Sequence, residues 1–230
     1  MPTTYDPALK RRKLEDQKIG DFIVKAIESF HFKIVTSIGE VTADSGHFFA
    51  PKFLYWMFGE DEKIMGYQNL SVNIYLSAKR LAPYFEIDYT EKAPVWAKSD
   101  DILAKLEKHY GKLLSKDEFA ALLNEETSIE MPGKTLCNLE SGKIVRHIRL
   151  SDESFTSMNF YSQALLPFFI EAATPIEPCP YWRYFLVYSP EGALVSLFTV
   201  FEAHQTAVKF RLKISQVLVL PPYQRQGLAS

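Results

Sequence analysis

The chain of 230 residues carries 26 Lys and Arg against 28 Asp and Glu, with 47% hydrophobic and 14% aromatic side chains. Such a chain can bury a sizeable core in one or two modest domains, and its charge balance excludes a surface built to coat nucleic acid. Cys137 and Cys179 stand far apart without a Cys-x-x-Cys, and the five histidines lack ligand spacing, which argues against a disulfide scaffold and a structural metal.

Met1 to Lys18 reads as a disordered leader, polar and Pro-containing, with a basic cluster at Lys10, Arg11, Arg12 and Lys13 that import machinery could read. No run reaches the roughly 18 apolar residues of a membrane helix and no hydrophobic signal core is present, so a soluble, intracellular protein is expected. Ala26 to Ile38 has strand-like alternation. Leu70 to Leu76 and Tyr84 to Thr90 alternate more clearly, with Phe85, Ile87 and Tyr89 opposite Glu86 and Asp88, and together these predict an antiparallel, half-exposed sheet. Asp100 to Tyr110 has helical spacing. Ser115 to Glu126 predicts a second helix in which Ser115 and Glu118 have capping-box spacing. Met131-Pro132-Gly133 breaks the chain and places a boundary near residue 130, which divides it into a leader (1–18), an N-terminal domain (19–130) and a second domain (131–230).

Lys143 to Leu150 predicts a strand, after which Ser151 or Asp152 could cap a helix running towards Thr174 with an interruption at Pro167. Three prolines between Thr174 and Pro180 exclude regular structure there. Trp182 to Tyr188, the turn Ser189-Pro190-Glu191-Gly192, and Ala193 to Phe201 have the form of a hairpin. Gln216 to Leu220 is a short β-branched-rich run that predicts a buried strand, closed by Pro221 and Pro222, which have no N–H to donate. Gln224-x-x-Gly227-x-Ala229 follows it. Small residues there let backbone N–H groups approach an anion, and a helix starting at that point would favour a diphosphate.

The strand, double proline, Tyr223 and glycine of SQVLVLPPYQRQG resemble motif A of the GCN5-related N-acetyltransferases, and within that superfamily the segment is similar to the type B histone acetyltransferases. FGEDEKIMGYQNLSVNIYL at Phe58 to Leu76, FEIDYTEK at Phe85 to Lys92, and PFFIEAATPIE followed by WRYFLVY between Pro167 and Tyr188 agree with it. The similarity runs from about Ile19 to the last residue. Ala229 and Leu228 depart from the family pattern, which more often has a second Gly and a His there.

The resemblance implies an α+β fold (mixed α/β), an N-terminal mixed domain followed by an incomplete acetyltransferase core with a mainly antiparallel sheet. It implies lysine N-acetylation of newly made histone H4, with acetyl-coenzyme A as co-substrate. The H4 N-terminal tail and a WD40 histone chaperone would be partners, in nucleus and cytoplasm. Val217, Leu218 and Val219 would pair with the pantetheine arm, while Gln224, Arg225, Gln226, Gly227, Leu228, Ala229 and Ser230 would hold the diphosphate. Glu60, Asp61 and Glu62 would meet the basic tail, together with Trp182, Phe201, Glu202 and Ala203. The family's general-base Glu is expected on the next strand, beyond Ser230, so no catalytic residue is assigned and an impaired catalyst is expected. The alternative is a truncated isoform that binds histone or chaperone without turnover.

Overall fold

The computed structural model describes residues 20–43, 46–94, 97–149, 156–177, 179–204 and 209–227. Strand β1 (Ile23–Lys25) leads through a helical turn, Ala26–Ser29, into β2 (Phe30–Val35). The single strand expected over Ala26 to Ile38 is therefore broken at its start, because Ser29 Oγ donates to the Lys25 carbonyl at 2.9 Å and the Phe30 amide closes on Ala26. A serine hydroxyl bonding four residues back favours a turn over a ladder.

Strand β3 (Lys63–Met65) pairs with β1, and β4 (Tyr67–Gln68) pairs with β7 (Glu91–Lys92). Between them, β5 (Ser71–Ser77) is the centre of a three-stranded sheet, parallel to β2 and antiparallel to β6 (Pro83–Asp88). The parallel pair corrects the expectation of an antiparallel sheet. The chain leaves β2 at Val35 and returns at Ser71, a connection long enough for the crossover that parallel neighbours need.

Helix α1 (Ile102–Tyr110) is capped by Asp101, whose Oδ1 accepts from Ala104 N at 3.0 Å, and it buries Ile102, Leu106 and Tyr110 at helical spacing. Helix α2 (Lys116–Ser128) begins with the reciprocal Ser115–Glu118 capping box expected from the sequence. Its Glu126 is only 4% exposed. The carboxylate accepts from Ser77 Oγ at 2.8 Å and from the Lys79 and Arg80 amides at 3.1 Å each, tying the helix to the turn between β5 and β6.

Burial raises the Glu126 pKa above 4.5 despite those donors. Because the folded-state pKa is raised, the stability it contributes is complete below about pH 4.5 and declines as pH rises through the folded value. Glu126→Leu orphans the three donors. It should cost about 2–4 kcal/mol at pH 7, and the gap to wild type should widen at pH 5, as urea unfolding at both values would measure.

The second half builds one five-stranded antiparallel sheet from β8 (Lys134–Asn138), β9 (Ile144–Arg149), β10 (Trp182–Tyr188), β11 (Leu194–His204) and β12 (Phe210–Val219), in the order β12-β11-β10-β9-β8. Strand β8 was not foreseen. It is an exposed edge from end to end, so no buried-face alternation announces it. Helix α3 (Thr156–Leu165) covers the sheet and ends in a 3₁₀ turn, Leu166–Phe168, at the expected interruption. Pro167 has no amide to continue the helix, so the chain does not run on to Thr174. Ser151 and Asp152, the expected caps, lie outside the described residues, as does the leader.

One buried cluster spans the chain break near residue 130. Phe30, Phe32, Leu54 and Ile74 from the first half share one buried cluster with Leu166, Phe168, Tyr184, Leu186 and Leu197 from the second. Phe168, with no exposed surface, packs edge-on to Phe32 and Trp56, each with centroids 5.0 Å away, and its carbonyl accepts from Lys52 N at 2.7 Å. Leu194 N donates to the Ala78 carbonyl at 2.8 Å, a second link between the halves. The architecture is α+β, with the antiparallel sheet predominating.

Candidate functional site

Among the described residues, strand β12 pairs with β11 on one side and is the edge of its sheet on the other. The ladder decides which backbone groups are free. Leu220 N donates to the Val195 carbonyl at 3.0 Å and the Leu218 carbonyl accepts from Ser196 Oγ at 2.9 Å, so Leu218 and Leu220 direct their polar groups at β11. Backbone groups alternate along a strand, and Val217 and Val219 therefore direct theirs outward. The Gln224 side chain agrees, donating its Nε2 to the Val219 carbonyl at 2.9 Å from the open side. Of the expected strand residues, Val217 is 40% exposed and Leu218 4%. The run is thus buried on one face only.

Beyond Leu220, the 3₁₀ turn Pro221–Tyr223 carries the chain into Gln224, Arg225, Gln226 and Gly227, all exposed. Arg225 and Gly227 have φ of +61° and +73°, the left-handed region, which points successive amides differently from a strand. Leu228, Ala229 and Ser230 lie outside the described residues.

Two grooves are lined in part by the segment between Glu171 and Cys179, one by its first residues and one by its later ones. One, of about 450 Å³, is lined by Thr174, Ile176, Glu177, Trp182, Phe201 and Ser215. Trp182 and Phe201, partners across β10 and β11, tilt together with centroids 4.9 Å apart, and Tyr181 approaches Phe201 edge-on at 6.3 Å. Ser215 lies two residues from the outward-facing Val217. The other groove, of about 640 Å³, is lined by Lys52, Tyr55, Glu60, Glu62, Glu171 and Ala172. Ala172 N donates to Tyr55 Oη at 3.1 Å, which fixes this end of the shared loop.

The sequence-derived acidic triplet is divided. Glu60 is exposed in the second groove, whereas Asp61 is exposed near Lys63, 3.7 Å away. Glu62 lines the same groove but also accepts from Leu54 N, holding the preceding turn. Glu202 and Phe201 are likewise separated, since adjacent strand residues face opposite ways. Phe201 and Ala203 share the Trp182 face. Glu202, 6% exposed, is ion-paired with Arg183 on the other.

Sequence reasoning gave no role to the carboxylates Glu171 and Glu177 on the groove walls and missed a buried polar network behind them. Gln163 Nε2 donates to Gln216 Oε1 and to Tyr184 Oη, both at 3.1 Å, and Gln163 Oε1 accepts from Ile176 N at 3.0 Å. Gln216 Nε2 donates to the Thr174 carbonyl at 3.0 Å. Burial raises the Tyr184 pKa, keeping its hydroxyl protonated as the donor to Asn159 Oδ1 at 2.6 Å. The one available signal was Gln216 itself, an amide at the head of an apolar strand.

Comparison with known proteins gives one direction. A family model described as histone acetyl transferase HAT1 N-terminus matches residues 22–171. Proteins named histone acetyltransferase type B catalytic subunit are similar over most of the chain: 28% identical in Zea mays over 95% of it, 27% in Homo sapiens and 26% in Mus musculus over 92%. The chain spans about half the length of the curated relatives it matches, 50% of the maize protein and 56% of the human and mouse proteins.

Proposed function

The chain belongs to the histone acetyl transferase HAT1 N-terminus family, and from that membership we propose that it serves lysine acetylation of histone H4. In this reading acetyl-coenzyme A lies along the open edge of β12 and the H4 tail crosses the two grooves. A WD40 histone chaperone would be its partner, and nucleus and cytoplasm its locations.

The observation that carries the proposal is the position of the free edge beside the aromatic groove. A pantetheine arm offers amide N–H and C=O groups, and an edge strand binds such a chain as it would an added strand. Val217 contributes an outward N–H and C=O and Val219 an outward N–H, the Val219 carbonyl being taken by Gln224. The loop at Arg225 to Gly227 would meet the diphosphate with backbone amides and a guanidinium. Next to that edge, Trp182 and Phe201 can pack along the aliphatic stem of a lysine, and Glu177, Glu171 and Glu60 favour a basic peptide. These residues bind and orient. None is assigned the proton transfer, and Glu202 is neutralised by Arg183. The second reading, binding of histone without turnover, uses the same groove.

Calorimetric titration tests both arms. Gly227 has φ +73°, a conformation that Asn and Asp tolerate alike, so Gly227→Asp and Gly227→Asn differ chiefly in charge. Aspartate beside a diphosphate should weaken acetyl-coenzyme A at least about fivefold more than asparagine does. Glu60→Gln with Glu171→Gln should weaken an H4-tail peptide and flatten its salt dependence, leaving acetyl-coenzyme A unaffected. Equal affinities for the two Gly227 variants would defeat the donor assignment, and unchanged peptide binding the acceptor assignment.

A further inference from the structure

We propose that Gln216, paired with Gln163, is a positioning residue that sets the acceptor groove against the donor edge. The proposal rests on the functional reading above for what occupies the two places, but its mechanical part stands on the hydrogen bonds alone.

Gln216 lies in sequence between Ser215, which lines the aromatic groove, and Val217, whose backbone faces the open edge. It is 8% exposed and shares its face with Leu218 and Leu220, where an apolar residue would avoid the desolvation of an amide. The amide is fully engaged instead. Its Oε1 accepts from Gln163 Nε2 at 3.1 Å and from Thr199 Oγ1 at 3.2 Å, and its Nε2 donates to the Thr174 carbonyl at 3.0 Å and to Gln163 Oε1 at 3.3 Å. Its own backbone N–H reaches Thr199 Oγ1 at 3.0 Å, across the bulge that interrupts the β11–β12 register.

Gln163 closes the ring from helix α3, accepting from Ile176 N at 3.0 Å. The two glutamines therefore hold the backbone of Thr174 and Ile176, the groove wall, in a Pro-rich segment that forms no ladder of its own. The same side chain that fixes the wall belongs to the strand that presents the edge. Spacing between a bound lysine and a bound thioester is thus set by one amide pair, and misplacement by about 1 Å can cost on the order of a hundredfold in rate.

The test separates positioning from stability. Gln216→Leu should lower the thermal midpoint, speed hydrogen exchange at the Ile176 amide about tenfold or more, and weaken an H4-tail peptide about tenfold, with acetyl-coenzyme A affinity within about twofold. In turnover it should lower kcat with little change in the KM for acetyl-coenzyme A. Gln163→Leu with Gln216→Leu removes both amides together, so neither faces an unpaired partner, and should regain the part of the midpoint lost to that mismatch. Ile176 protection and peptide affinity should stay lost. Their recovery along with the midpoint, or unchanged Ile176 exchange in the single variant, would overturn the proposal. A wild-type chain that binds neither ligand would overturn the acetyltransferase reading, and Ile176 exchange would still decide whether Gln216 holds the wall.

Discussion

Val217→Pro should remove acetyl-coenzyme A binding while leaving the five-stranded sheet folded, and Leu218→Pro, one residue on, should unfold it. The difference follows from the ladder. Leu218 directs its backbone at β11, opposite Leu197, so a proline there deletes a sheet hydrogen bond and forces its ring against the neighbouring strand. Proline is not tolerated at a position whose N–H belongs to the ladder. Val217 directs its N–H away from β11, and proline is tolerated on an edge whose N–H faces solvent. It would nevertheless delete the donor that the pantetheine arm needs and place a ring where the arm should lie. A loss of about tenfold or more in affinity is expected, with a thermal midpoint within a few degrees of wild type. Calorimetry and thermal unfolding of both variants decide it. Undiminished binding by Val217→Pro would remove β12 from the donor site.

Phe168→Ala should be among the most destabilising single changes, at about 3–5 kcal/mol. The ring is wholly buried where the two sheets meet and touches Phe32, Trp56 and His109, while Tyr110 stacks on it with centroids 6.4 Å apart. Collapse around the cavity is limited because the surrounding rings come from β2, α1 and the turn at Tyr55–Phe58, each anchored separately. Phe168 also takes the Lys52 amide on its carbonyl, and Lys52 borders the acidic groove. A variant that stays folded should accordingly lose peptide affinity. Phe160→Ala, at a side chain 46% exposed on α3, is the control and should change stability by no more than about 0.5 kcal/mol. A similar loss at both positions would show that Phe168 is not the junction it appears in the packing.

Much of the fold was legible because its determinants are local. The Ser115–Glu118 box, the helix within Asp100 to Tyr110, the interruption at Pro167 and the Trp182–Tyr188 hairpin strand each depend on residues a few positions apart, and each was found at or near its expected place. Strand β12 was recognised from Gln216 onward but begins at Phe210. Its first half, with Leu212 and Ile214 55% and 73% exposed, lacks a buried face to reveal it. The β2–β5 parallel pair was misjudged for the complementary reason, since alternation reports that a residue run is a strand and nothing about the direction of its neighbour.

The sequence by itself determined most of the strands and helices, the interruption at Pro167, the acetyltransferase-like segment at Gln216 to Gly227, and the acidic triplet Glu60 to Glu62. Only the tertiary structure decided how these are used. Glu60, Asp61 and Glu62 are consecutive, yet one lines the groove, one sits beside Lys63 and one also holds the Leu54 amide. Val217 and Leu218 are similar neighbours, yet one presents its backbone to the open edge and the other to β11. Gln163 and Gln216, 53 residues apart, meet as one amide pair behind the groove. Hydrogen-bond partnership across a sheet depends on register, and register is set by which faces can be buried together, so it is a property of the assembled core.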